Sequence, residues 1–233
     1  MSEATLDSYS RGYRMVELSA VGVFSFSLIF ILRDLNFENV QPLGILSAYF
    51  WGALIADFAS GLVHWFADTW GSHTWFLIGP TLIRSFREHH VDPKSITRHD
   101  FIETNGSTAL VLLPFMALFF ILSPLPTYFA HFCVSFFFFI FLTNQIHKWA
   151  HQNEVPRWVG YLQKSGIILS REKHAKHHNG IHDDSYCITT GWINSLLQKI
   201  KFFRFLEYCI ESVTGARARA EDLLLLEAKK KTS

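Results

Sequence analysis

Charge is scarce in this chain, and cysteine scarcer. Asp, Glu, Lys and Arg make up 18% of its 233 residues, below the quarter or so of a soluble domain. The net charge is +1, so the electrostatic footprint of a nucleic-acid partner is absent. The three cysteines, Cys133, Cys187 and Cys209, form no CxxC pair. Neither a disulfide framework nor a cysteine metal site is expected. No small-residue cleavage site follows the first apolar run, and the segment before it contains Glu3 and Asp7. Neither a removable signal peptide nor a plastid transit peptide is expected, and the first run reads as a retained anchor.

What is present is apolar residue in long runs, with histidine just outside them. The chain is 49% hydrophobic and holds 23 Phe. Four stretches approach the ~20 residues that cross a ~30 Å hydrocarbon core. They are Val16–Leu32, Leu43–Val63, Ser107–Leu122 and Leu125–Ile146. Pro114 marks a kink site in the third. Only Ser123 and Pro124 separate the last two, which read as a tight helical hairpin. Basic residues set the orientation. Arg84, Arg87, Lys94 and Arg98 lie between spans two and three, and Arg157, Lys164, Arg171, Lys173 and Lys176 follow span four. Both segments and both termini are therefore expected in the cytosol. The expected fold is an all-α membrane protein, four transmembrane helices with a cytosolic helical cap carrying a histidine-rich metal site. Residues 1–15 form a cytosolic tail, 16–210 the four-span domain with its cap, and 211–233 a second cytosolic tail.

Four-span topology brings His64, His89, His90, His147, His151, His174, His177 and His178 to one membrane face, whereas an odd number of spans would split them. Imidazole is the usual nitrogen ligand of iron, zinc and copper. Eight exceed one tetrahedral zinc and suit two metal ions. His147 and His151 are i and i+4, and His174, His177 and His178 are i, i+3 and i+4. Each set shares a helix face, so all three of the latter are expected in one site, with Asn179-Gly180 as a helix stop. His89 and His90 cannot both face one site from an ideal helix. They need a helix end or two different metals.

In span two, Asp57, Gly61, His64 and Asp68 form one stripe. Asp57 is expected to hydrogen-bond a ligand imidazole or a neighbouring helix. Asp183 or Asp184 either takes the free N–H of a ligand imidazole or lies in a solvated turn. His73, His99 and His182 either orient ligands or lie on the surface. His131, near the opposite end of span four, is read as structural. Thr81–Arg87 and Leu196–Glu211 mix apolar and basic residues. They are expected to lie in the interface and bracket the site, to pack against a cytosolic cap, or both, with Phe203 and Leu206 on the apolar face. Histidines gathered at one membrane face point to oxygen chemistry on a lipid. The contrary class, a metal transporter or sensor, would place ligands nearer mid-membrane.

Three stretches carry a resemblance: Gly61–Gly71 around His64 and Asp68, Phe86–Pro93 around His89 and His90, and Thr97–Gly106. Together they resemble the plasmanylethanolamine desaturase family, also called Kua, which includes the bacterial CarF proteins and the plant plastid fatty acid desaturase 4. His147-Lys-Trp-Ala-His151 and His174-Ala-Lys-His177-His178 match its later motifs in type and order. The resemblance covers about residues 15–210. It implies an iron-dependent desaturase with two non-haem irons and O₂ as co-substrate. Animal members convert the 1-O-alkyl chain of a plasmanyl phospholipid to the 1-O-alk-1′-enyl chain of a plasmalogen, and plant members desaturate an acyl chain of phosphatidylglycerol. The implied electron donors are cytochrome b5 and its NADH-dependent reductase. The family's metal ligands carry over to the eight histidines above, with Asp68 as the acidic catalytic partner of His64. Phe86 stands where stearoyl-type desaturases begin an HxxHH box, so their ligand-to-metal assignment does not transfer.

The lipid headgroup is expected near Arg84, Arg87, Lys94 or Arg98, with the alkyl tail between spans two and four. Lys230 and Lys231 fit a dilysine retrieval signal, or form a solvated basic tail. The expectation is a plasmanylethanolamine desaturase of the endoplasmic reticulum membrane. An acyl-lipid desaturase or hydroxylase with the same metal core is the alternative.

Overall fold

The structure, a computed structural model, describes residues 11–37, 41–70, 72, 74–76, 83–178 and 183–219. His73, His182, Thr81, Leu82, Asn179, Gly180, Lys230, Lys231 and the side chain of Arg84 lie outside the described residues. Among those described there are ten α-helices and no strand. They are α1 (Arg11–Asp34), α2 (Pro42–Thr69), α3 (Arg84–Val91), α4 (Ser95–Arg98), α5 (Phe101–Leu122), α6 (Thr127–His151), α7 (Arg157–Lys164), α8 (Arg171–His178), α9 (Asn194–Lys199) and α10 (Phe202–Thr214). Helices α1, α2, α5 and α6 are long and apolar enough to cross a membrane.

Each outruns its hydropathy window, and the excess carries the motifs. α2 runs through His64 and Asp68 to Thr69, α5 starts at Phe101, and α6 runs through His147 to His151. Hydropathy tracks lipid contact, whereas a helix continues wherever one face stays buried. Pro114 lies inside α5, which is continuous through it.

The chain forms two compact units, and α2 and α6 contribute residues to both. The first contains Met1–Ala56 and Arg98–Lys148. Ala20, Phe24, Leu28 and Ile31 recur every three or four residues on α1. That face is buried with Ala109, Leu112, Met116 and Phe119 of α5 and Val134, Phe137 and Phe141 of α6. Phe26, Ile29, Val111, Phe115 and Ile121 are exposed instead, a surface suited to lipid rather than water. A Cβ on Gly52 would lie 2.5 Å from the Phe132 carbonyl oxygen, so the backbones of α2 and α6 approach closely there, as small residues permit. Asp100 caps α5 by accepting the Glu103 N–H at 3.0 Å, and Arg14 pairs with Asp100 at 2.6 Å. His131 is fully buried, 3.2 Å from the Asn36 carbonyl oxygen and with its ring 4.9 Å from that of Phe37.

The second unit contains Asp57–Thr97 and Trp149–Ser233. Its core gathers Trp65, Trp70, Tyr186, Cys187, Leu197, Phe203 and Ala218. Buried Glu207 ties it together, accepting from Trp65 Nε1 at 3.1 Å and from Arg219 at 2.7 Å. The amphipathic stretch Leu196–Glu211 is two helices rather than one. The chain breaks at Ile200 and Lys201, where Lys201 adopts a left-handed φ of 54°. Phe203 consequently turns inward, its ring 4.9 Å from that of Tyr186. Leu196, Ile200, Phe205 and Tyr208 are the exposed apolar residues of this stretch.

Candidate metal centres

Helices α2, α3 and α8 assemble a first cluster. His64 and Asp68 sit one turn apart on α2, His90 lies in the last turn of α3, and His177 lies on α8. Their candidate ligand atoms all lie within 4.8 Å of one another. Asp68 Oδ2 is 3.1 Å from His64 Nε2, 3.4 Å from His177 Nε2 and 3.5 Å from His90 Nε2. Both Asp68 oxygens are buried, and no hydrogen bond reaches them. The sequence reading casts Asp68 as an acidic partner of His64. The structure makes it equidistant, within half an ångström, from three imidazoles.

Helices α3 and α8 and the end of α6 build a second cluster from His89, His174, His178 and His151, again within 4.8 Å. His174 Nε2 lies 2.7 Å from His151 Nε2 and 3.1 Å from His178 Nε2. His147 is buried one turn before His151 on α6, at the spacing that shares its face.

Adjacent histidines therefore part company. His89 and His90 go to different clusters, and both lie in the last turn of α3. His177 and His178 do the same. This corrects the expectation that His174, His177 and His178 point into one site. Adjacent helical positions are about 100° apart, so only the i, i+4 pair His174 and His178 stays together.

The surrounding contacts orient the rings. His64 Nδ1–H donates to the Tyr186 carbonyl at 2.9 Å, and His177 Nδ1–H donates to the Asp184 carbonyl at 2.7 Å. Both bonds leave Nε2 with its lone pair facing the cluster. The carboxylates of Asp183 and Asp184 do other work: Asp183 pairs with Arg204, and Asp184 accepts from Gln198 Nε2 at 2.6 Å. The ring-orienting acceptor is thus a peptide carbonyl, which no side-chain pattern reveals. Asp57 does not meet an imidazole either. Fully buried, it accepts the N–H groups of Thr189, Thr190 and Gly191 on Oδ1 at 3.1, 2.7 and 3.0 Å, and that of Trp192 on Oδ2 at 3.1 Å. A Cβ on Gly61 would lie 2.5 Å from Cys187 Sγ, so this segment lies directly on α2. Asp57 therefore anchors the segment whose Tyr186 carbonyl holds His64. Lys94 Nζ donates to the His151 carbonyl and to Asn153 Oδ1 at 3.0 Å. His99 is half-exposed, 3.6 Å from Glu103 Oε1.

The donor set fits a cation. Burial, then the imidazoles of His151 and His178, pushes His89 down to about 2. Burial and the neighbouring imidazoles hold His174 well below its ordinary value. Neutral imidazole is the form that binds metal. A buried carboxylate facing three ring nitrogens is costly without a positive charge between them. Nitrogen-rich sites of this kind suit iron and related transition metals.

Residues 53–221 match the family described as the lipid desaturase domain. The chain is 46% identical to plasmanylethanolamine desaturase 1 of Mus musculus, over 92% of this chain and 83% of the relative. It is 40% identical to plasmanylethanolamine desaturase of Myxococcus xanthus, over 95% and 80% respectively. It is also 34% identical to the chloroplastic fatty acid desaturase 4 of Arabidopsis thaliana, over 72% of this chain and 52% of the relative. No solved structure matches the chain.

Proposed function

Because this chain belongs to the lipid desaturase domain family, we propose that it converts the 1-O-alkyl chain of plasmanylethanolamine to the 1-O-alk-1′-enyl chain of a plasmalogen. Its four apolar helices make it a multi-pass membrane protein. In this reading it resides in the endoplasmic reticulum membrane with both termini cytosolic, and it takes electrons from cytochrome b5 and its NADH-dependent reductase. The substrate assignment is supported by two relatives, at 46% and 40% identity, that carry that substrate in their names.

The observation that carries the chemistry is the pair of buried donor clusters. One iron would be held by His64, Asp68, His90 and His177, and the other by His89, His151, His174 and His178 with His147. Iron bound there supplies oxygen activation: O₂, two electrons and two protons remove two hydrogens from adjacent carbons and leave a C=C bond and two waters. The protein's own part is positional. The Tyr186 and Asp184 carbonyls hold two rings in the tautomer that presents Nε2. Lys94 fixes the end of α6, and Asp57 fixes the segment behind His64.

The test is lipid analysis in cells lacking plasmalogens, supplied with an alkylglycerol and expressing this chain. Acid-labile vinyl ethers that release aldehydes are expected. New double bonds in acyl chains with no vinyl ether would assign it to acyl-lipid desaturation instead.

A further inference from the structure

A cleft of about 370 Å³ opens beside the break between α9 and α10. That is near the lower end for a ligand site, large enough for a lipid headgroup but not for a whole lipid. Its lining includes Asp183, Asp184, Lys201 and Arg204, with Leu197 and Phe203. Two carboxylates and two cations share one small opening, where Asp183 pairs with Arg204 and Asp184 accepts from Gln198 Nε2 at 2.6 Å. The cleft also has a rigid link to the first cluster, because the Asp184 backbone carbonyl accepts from His177 Nδ1. Lys201 sits at φ 54°, a conformation side-chain-bearing residues rarely adopt and one that recurs at binding sites. Next to the cleft, Leu196, Ile200, Phe205 and Tyr208 expose apolar surface.

We propose that this cleft binds the zwitterionic headgroup of the lipid substrate, phosphate at Lys201 and Arg204 and primary ammonium at Asp183 and Asp184. The assignment rests on the desaturase reading for the identity of the lipid. The balanced charge of the four side chains argues for a zwitterion, whose phosphate and ammonium exchange the Asp183–Arg204 pair for two new charge-assisted ones and leave neither side chain uncompensated. Carboxylates accept hydrogen bonds, and a primary ammonium offers three N–H donors, whereas a quaternary one offers none. The exposed apolar residues of α9 and α10 suit the chains of the same lipid. An ether carbon next to the glycerol lies a few bonds from the phosphate. A headgroup held one hydrogen bond and one imidazole from the first cluster therefore presents that carbon, not mid-chain methylenes, to the metal.

The test is lipid retention by the full-length purified protein, read by native mass spectrometry with 1-O-alkyl-2-acyl lipids bearing phosphoethanolamine, phosphocholine or phosphate alone. The wild-type chain should retain the ethanolamine lipid about tenfold better than the phosphate lipid, as one charge-assisted hydrogen bond implies. Asp184→Asn should bring that ratio to about twofold or less, while keeping the backbone carbonyl that holds His177. Lys201→Gly suits the left-handed backbone, so the fold and metal content should persist while retention of all three lipids drops about fivefold. Soluble phosphoethanolamine should compete with the ethanolamine lipid, which inorganic phosphate should do more weakly. A wild-type ethanolamine-to-phosphate ratio in Asp184→Asn, or wild-type retention of all three lipids in Lys201→Gly, would overturn the cleft while leaving the desaturase reading intact. Absence of ether-lipid desaturation would overturn that reading, and the retention ratios would still decide the cleft.

Discussion

Asp57→Asn tests whether the segment at 186–192 is held by α2 as the geometry requires. In the wild-type chain, Asp57 Oδ1 accepts three backbone N–H groups and Oδ2 accepts a fourth. An asparagine oxygen can keep the three. Its NH₂ then faces the Trp192 N–H, donor against donor. That amide is not stranded, because Thr190 Oγ1 lies 3.2 Å from it as a second acceptor. The loss is therefore one weakened bond plus the charge on three others, about 2–3 kcal/mol in all. For a chain of this size that is on the order of 5–10 °C in thermal midpoint. Asp57→Ala removes the shared acceptor of all four amides and should cost about 4 kcal/mol or more. The assays are thermal unfolding in detergent, hydrogen exchange at residues 189–192, and metal content, which should fall because the Tyr186 carbonyl that orients His64 moves with the segment. An Asn variant with an unchanged midpoint and unchanged amide protection would refute the reasoning.

Other outcomes follow from the same geometry. His90→Ala or His177→Ala should remove one metal ion of about two per chain, and His151→Ala or His178→Ala the other. Elemental analysis that shows no such division would sink the two-cluster assignment. Phe203→Ala should lower stability by about 3–5 kcal/mol because that ring is core, whereas Phe205→Glu and Tyr208→Glu should keep the fold and reduce activity toward lipid in bilayers; thermal midpoint and turnover measured together separate the two. For the chelated protein, stability should be full above about pH 6.5 and fall as pH drops below it. The folded state keeps His89 and His174 neutral to lower pH than the unfolded chain does, so acid favours the unfolded state. Denaturant melts between pH 7.5 and 5 measure the slope, and a flat profile would contradict it.

Much of the fold was legible because it rests on side-chain pattern. The apolar runs mark the four long helices, and their polar ends mark α2 and α6 as ligand carriers. The helix ends were less legible. Hydropathy falls at His64 and His147, although each helix runs on to Thr69 and His151. The break at Lys201 carries no glycine or proline to announce it, so Leu196–Glu211 reads as one helix and Phe203 as its outer face. Contacts to backbone left no trace in the sequence. Asp57 reads as a partner for an imidazole or a neighbouring helix because the amides of 189–192 have no residue type, and Asp183 and Asp184 read as ring acceptors or a solvated turn because the acceptor is a peptide carbonyl.

The histidine doublets were legible as residues but not as a division of labour. One doublet lies in the last turn of α3 and the other ends α8. Each supplies one ring to either cluster, as the roughly 100° step between neighbours dictates. The two clusters therefore share two of their supporting helices, so neither can shift without the other. Both must then be formed or lost together when α3 or α8 moves as a body, whereas a single side-chain substitution can remove one alone. If each cluster holds one metal ion, as proposed, a two-electron reaction at adjacent carbons would benefit from that arrangement, because the spacing of the two ions would be set by backbone rather than by flexible side chains. The Asp184 carbonyl acts on one of these shared elements, since it holds His177 on α8, the helix through which a displacement at one cluster would reach the other.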